Sequence, residues 1–215
     1  MSKKAKPRDL QKLKRRSSLS RPTIHILCEG EKTEINYFEG LKKSLAISLR
    51  NFLDIQIISS KGEPCPDKML AKAEKLEPEK GDEVWLVFDT EKESLDKSRM
   101  EKAEKVFKKC NNNTTYFSAI SNPCFEVWFL LQFEEVDKNL TIDQILQKIK
   151  KHRKNYSKSK GLEFDESLAK IAIKNSHKRF KSASENSFPK HTSTRVHLLV
   201  EKILSIKSSE FTCSR

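Results

Sequence analysis

The sequence predicts an α/β fold in which a parallel sheet is flanked by helices and followed by a helical C-terminal extension. Two observations predict it. Short β-branched runs alternate with segments of helical period over roughly the first 135 residues, and that alternation implies parallel pairing with both sheet faces covered. Beyond residue 135 the helical period continues without a convincing strand. A chain of 215 residues supports one core with a small extension, and 12 Phe and 2 Trp supply apolar volume for it.

The elements follow in order. Residues 1–22 hold nine basic side chains against Asp9 alone and show no apolar period, which predicts a disordered basic arm attracted to polyanions. Thr23 to Cys28 (TIHILC) predicts the first strand. Thr33 to Leu49 predicts a helix, with Ile35, Phe38, Leu41, Leu45 and Leu49 on one face. Phe52 to Ser59 predicts a strand, Asp67 to Leu76 a helix capped by Asp67, and Glu83 to Phe88 a strand ending in Asp89. A charged helix over Asp96 to Cys110 and a strand over Thr114 to Ile120 come next. Asn122 and Pro123 then read as cap and first residue of a buried helix over Phe125 to Phe133. Ile142 to Ile149, Phe164 to Phe180 and Thr194 to Ile206 predict three more helices. The organisation is an arm over 1–22, an α/β core over 23–135 and a basic helical extension over 136–215.

No apolar run nears the roughly 18 residues of a membrane helix, and the basic N-terminus lacks an apolar signal core. The five cysteines are scattered and odd in number, which disfavours a disulfide framework or zinc knuckle. A cytoplasmic protein with reduced thiols is expected.

The chemistry concentrates at strand ends. Glu29 follows the first strand and Asp89 the third, so in an open parallel sheet both stand at the carboxyl edge, where they can face one crevice. Glu91 lies two residues beyond Asp89, and Glu31, Glu34 and Glu93 add acid nearby. Clustered carboxylates repel one another unless a cation lies between them, and Mg²⁺ takes oxygen ligands. Helix caps or pairs with Lys32 and Lys92 are the ordinary alternative. Glu126 weakens it: it shares the apolar face of Leu130 and Phe133, so it is expected to be partly buried and to need a partner, either a backbone or Lys group or the same metal cluster.

Three blocks, CEGEKTE (28–34) with Asn36, Tyr37 and Phe38, VWLVFD (84–89) and SNPCFEVWFLLQF (121–133), resemble the signature blocks of the RloB-like family, and TSTRVHLLV (192–200) resembles its C-terminal block. The family is similar to the Toprim nucleases of phage-defence pairs, in which a Toprim protein works with a separate ABC-type ATPase. The resemblance implies a Toprim-like sheet with an acid after the first strand, matched by Glu29, and an Asp-x-Asp pair, matched here by Asp89 and Glu91. The longer Glu91 side chain departs from that pattern while still able to ligate Mg²⁺. No G-x-x-x-x-G-K-[ST] loop is present, in keeping with ATP use on a partner.

The resulting expectation is a nuclease of antiphage defence using Mg²⁺, with Mn²⁺ as a substitute, to cleave DNA or RNA. Glu29, Asp89, Glu91 and Glu126 are its catalytic and metal residues. Lys32 is matched to phosphate contact, as are Lys154, Lys158 and Lys160 within the acid-free run KIKKHRKNYSKSK (148–160), and Lys190 and His191 near the last block. An ABC-type ATPase encoded nearby is the expected protein partner, and a homo-oligomer is compatible with the resemblance. His25, His152, His177 and His197 show no metal spacing and receive no role. The rival readings are a non-catalytic nucleic-acid-binding or ATPase-docking module and an enzyme acting on small phosphorylated molecules.

Overall fold

A computed structural model describes residues 21–45, 53–60, 65–90, 97–180 and 187–212. Five strands and seven helices lie among them: β1 (Thr23–Cys28), α1 (Thr33–Ser44), β2 (Asp54–Ser59), α2 (Pro66–Glu74), β3 (Glu83–Asp89), α3 (Lys97–Asn111), β4 (Tyr116–Asn122), α4 (Glu126–Leu130), α5 (Ile142–His152), α6 (Glu166–Phe180), β5 (Ser193–Thr194) and α7 (Val196–Thr212). The sheet order is β2-β1-β3-β4-β5. The first four strands run parallel, and β5 pairs antiparallel with β4 through Ser121–Thr194 and Asn122–Ser193. The α/β class and the parallel sheet expected from the alternation are therefore present.

Alternation along the strands splits the interior into two layers. Ile24, Ile26 and Cys28 of β1, with Trp85 and Val87 of β3, face α1 and the helices from α4 onward. Leu27 of β1, with Val84, Leu86 and Phe88 of β3, faces α2 and α3. Tyr37, Phe125, Trp128 and Phe129 form the densest part of the first layer, with Tyr37 edge-on to the other three rings at 5.7–6.2 Å between centroids. Burying each such ring contributes about 1.5–3 kcal/mol. Ile145, Ile149, Ala169, Leu199 and Val200 join the same layer, so the C-terminal helices are continuous with the sheet's packing.

The structure corrects four local expectations. α1 ends at Ser44 with Leu45 in extended backbone, and residues 46–49 lie outside the described residues. α2 starts at Pro66 after an extended Cys65, which places Asp67 inside the first turn, not at the cap. Asn122 belongs to β4 and precedes a cis peptide to Pro123. It cannot cap a helix, because its side-chain oxygen accepts from Thr90 Oγ1 at 3.0 Å and its amide donates to Pro189 C=O at 2.8 Å. α4 is accordingly a buried helix of five residues. The short β5 escaped the sequence pattern because two residues carry no period; its pairing with β4 creates it. The basic arm, apart from Arg21 and Pro22, is outside the described residues. No helix among them is long and apolar enough to cross a membrane.

Candidate functional site: a carboxylate basin at the sheet edge

The sheet order makes β1 and β3 neighbours while their outgoing connections diverge, β1 leading to β2 on one side and β3 to β4 on the other. Such a switch point leaves a crevice beyond the carboxyl ends of the strands. Glu29 and Asp89 stand there. The Glu29 amide continues the ladder by donating to Val87 C=O at 2.9 Å, and the Asp89 amide donates to Glu29 Oε2 at 3.1 Å. A pocket of about 490 Å³ opens above them, lined by Glu29, Lys32, Glu34, Asp89, Arg99, Glu126 and Lys158 among others.

Strand parity explains what each acid meets. Continuing the alternation of β1, Glu29 falls on the α3 side of the sheet, where Arg99 Nη2 reaches both carboxylate oxygens at 2.7 and 2.8 Å and also donates to Asp89 C=O at 2.9 Å. Continuing that of β3, Asp89 falls on the side of α1 and α4. It meets Glu34 from the first turn of α1 and Glu126 from the start of α4. Gly30 makes room for this: a Cβ there would lie 1.9 Å from Glu34 Oε2. The Asp89 carboxyl is pushed well above the usual range, first by burial and then by repulsion from Glu34, Glu126 and Glu29. Glu34 is raised by burial and by Glu126 and Glu29, against a lowering backbone hydrogen bond and Lys158.

Glu126 is 1 % exposed. Tyr156 donates its hydroxyl to Glu126 Oε1 at 3.5 Å, and Lys158 Nζ stands 3.8 Å from the same oxygen. Gly161 adopts φ +66° against Thr33 and Phe129, and Thr33 Oγ1 donates to Lys158 C=O at 2.5 Å, which folds this segment over the mouth of the basin.

Four carboxylates against Arg99 and Lys158 leave an excess of two formal negative charges, while the exposed Glu31 and Lys32 of the rim offset each other. The donor set fits a hard divalent cation. All donors are oxygens, Asp89 Oδ1 is buried without a hydrogen-bond partner, and the repulsion raising Asp89 and Glu34 is what such a cation relieves. The basin is not a finished cage: no group of three or more His, Cys, Asp or Glu among the described residues is arranged as one, and Arg99 holds Glu29.

Of the residues singled out in the sequence, Glu29, Asp89, Glu126, Lys32 and Lys158 line one pocket. Glu91 lies outside the described residues. Lys154 and Lys160 are exposed on the segment that carries Lys158. Within the same basic run, Lys148 and His152 are held by Glu134 at 2.5 and 3.0 Å, and Tyr156 is buried. Lys190 and His191 line a different cavity that shares no residue with the basin. His197 is buried, its Nδ1–H donates to Thr194 C=O at 2.9 Å, and burial pushes its pKa down to about 3. Sequence reasoning missed Arg99, one cation among many on a charged helix, and counted Glu34 only as nearby acid, although its place in the first turn of the helix that follows Glu29 was a usable signal.

A family model described as RloB-like protein matches residues 24–203, in accord with the motif resemblance. No curated protein and no solved structure matches the chain.

Proposed function

The chain belongs to the RloB-like family, and we propose that it is a Toprim-like nuclease that hydrolyses DNA or RNA phosphodiester bonds with Mg²⁺ or Mn²⁺ held in the carboxylate basin. One observation carries the reading: acids from three separate stretches of chain meet where β1 and β3 end, and the buried Asp89 oxygen has no partner. Asp89, Glu34 and Glu126 would hold the cation, with Glu29 beside them. A divalent ion so held lowers the pKa of a water and stabilises charge on phosphoryl oxygens.

The chain's own groups do the rest. Arg99 fixes the Glu29 carboxylate, the Tyr156 hydroxyl orients Glu126, and the exposed Lys158 offers its ammonium to a substrate phosphate at the basin mouth. Burial opposes the charge on Lys158, but Glu126, Cys124, Asp89 and Glu34 together outweigh it and raise its pKa. Lys32, Lys154 and Lys160 extend the cationic track. The family resemblance supports control by an ABC-type ATPase and a role in antiphage defence, and the scattered cysteines support a cytoplasmic setting.

A second reading has one observation in its favour: because Arg99 already compensates Glu29, the chain serves as a nucleic-acid-binding module in which a guanidinium stands in for the metal. Incubating the full chain with labelled DNA and RNA, with and without Mn²⁺, separates the two. Cleavage that needs the metal and disappears in Asp89→Asn is expected, alongside Mn²⁺ binding by the unmutated chain in electron paramagnetic resonance. Absence of Mn²⁺ binding would overturn the nuclease reading. Lys158→Ala should reduce the salt dependence of nucleic-acid binding by about one phosphate contact.

A further inference from the structure

A second cavity, of about 530 Å³, is walled by residues 137–139, by Arg179 and Phe180 at the end of α6, and by the segment that leads into β5. We propose that it is a binding site for a free nucleotide, with Lys138, Arg179 and Lys190 taking the phosphates and the apolar wall of Phe188 and Pro189 taking the base. The site is separate from the basin and independent of its chemistry.

Charge supplies the first argument. Among the described residues, Lys138, Arg179 and Lys190 line the cavity against one carboxylate, that of Asp137, and His191 adds a further donor. An anion is the complement of that lining. Shape supplies the second. The volume lies within the roughly 300–1,000 Å³ of small-molecule sites, well beyond what one phosphate occupies, and the apolar residues leave a wall that phosphate alone does not use. Phe188 is held edge-on to Phe107 at 5.6 Å, so its ring is fixed in place.

Rigidity supplies the third. Arg179 stitches the walls together, Nε donating to Thr192 C=O at 3.3 Å and Nη1 to Asp137 C=O at 2.8 Å. The Thr192 amide donates to Asn139 Oδ1 at 3.2 Å, and its hydroxyl accepts from the Leu140 amide at 2.8 Å. Pro189 is fastened by the buried Asn122 amide at 2.8 Å. A cavity whose three walls are tied to one another is preformed, and little ordering opposes a ligand's entry. A cavity of this volume with an apolar side favours one nucleotide.

The test uses the full chain in EDTA, which keeps metal out of the basin. Binding of a fluorescent N-methylanthraniloyl-ATP is followed by anisotropy, with ATP, adenosine and inorganic phosphate as competitors. ATP should displace the probe far better than adenosine or phosphate. Lys138→Glu with Lys190→Glu should weaken it by at least about 10-fold at an unchanged melting temperature, and Lys190→Arg should keep it. Asp89→Asn should bind as the unmutated chain does. Unchanged affinity in the double charge reversal, displacement by phosphate as effective as by ATP, or loss of binding in Asp89→Asn would each overturn the proposal.

Discussion

Replacing Arg99 by Met probes the electrostatics of the basin directly. The guanidinium and the Glu29 carboxylate are about nine-tenths buried, 10 % and 11 % of their side-chain surfaces remaining exposed, and they meet at 2.7 Å. Met keeps most of the stem's volume and removes the charge, so Glu29 is left in a low-dielectric site beside Asp89 without the guanidinium's positive charge. Breaking a buried pair from one side costs about 3–5 kcal/mol. In a chain of this size each kcal/mol moves the melting temperature by about 2–4 °C, so a fall of about 6–20 °C is expected without added metal. The reasoning then makes a second demand. A divalent ion bound to the same carboxylates replaces the lost charge, so Mn²⁺ at 100 times its Kd restores about 2.7 kcal/mol. Glu29→Gln in the Arg99→Met background restores stability without metal. Differential scanning fluorimetry of the three proteins, with and without Mn²⁺, measures both effects. An Arg99→Met protein that melts with the unmutated one, or a double variant no better than the single, would refute the assignment of Arg99 as the counter-charge of Glu29.

The other predictions concern the same acids. Because the Asp89 carboxyl is raised by burial and by its acidic neighbours, the folded state binds its proton more tightly than the unfolded chain does. Its contribution to stability is therefore greatest below the unfolded-state pKa of about 3.9 and declines as pH rises from there toward the raised folded value. Asp89→Asn should flatten that decline and stabilise the metal-free protein by about 0.5–2 kcal/mol at pH 8; parallel pH profiles of the melting temperature would contradict this. Gly30→Ala should drive the Glu34 carboxylate out of the basin, since the new Cβ would fall 1.9 Å from Oε2. It should weaken Mn²⁺ binding by about 10-fold with little change in melting temperature, and calorimetric affinity equal to the unmutated chain would remove Glu34 from the cation site.

Much of the fold was legible because its signals are local. β1 matched to the residue, and β3 and α3 to within one, since a fully buried parallel strand and a long charged helix each write their period into consecutive positions. Errors fell where a distant partner decides the conformation. Asn122 carries a helix-cap composition, yet Thr90 and Pro189 occupy both ends of its side chain and hold it in β4. The basic run over 148–160 read as one surface, but Glu134 takes two of its members and Glu126 draws Lys158 toward the basin.

The same division applies to the site. That Glu29 and Asp89 end strands, and that Glu126 lies on an apolar helical face, follows from residue order alone, because side-chain direction within one strand or helix is set by a few consecutive dihedrals. Sequence order does not state that β1 lies between β2 and β3. That arrangement opens the crevice where the two acids meet, brings Arg99 and Glu34 to them from opposite sides of the sheet, and sends Lys190 and His191 to another cavity. Strand order and layer packing are set by the burial of whole apolar faces against one another, a property of the assembled chain that no single segment carries.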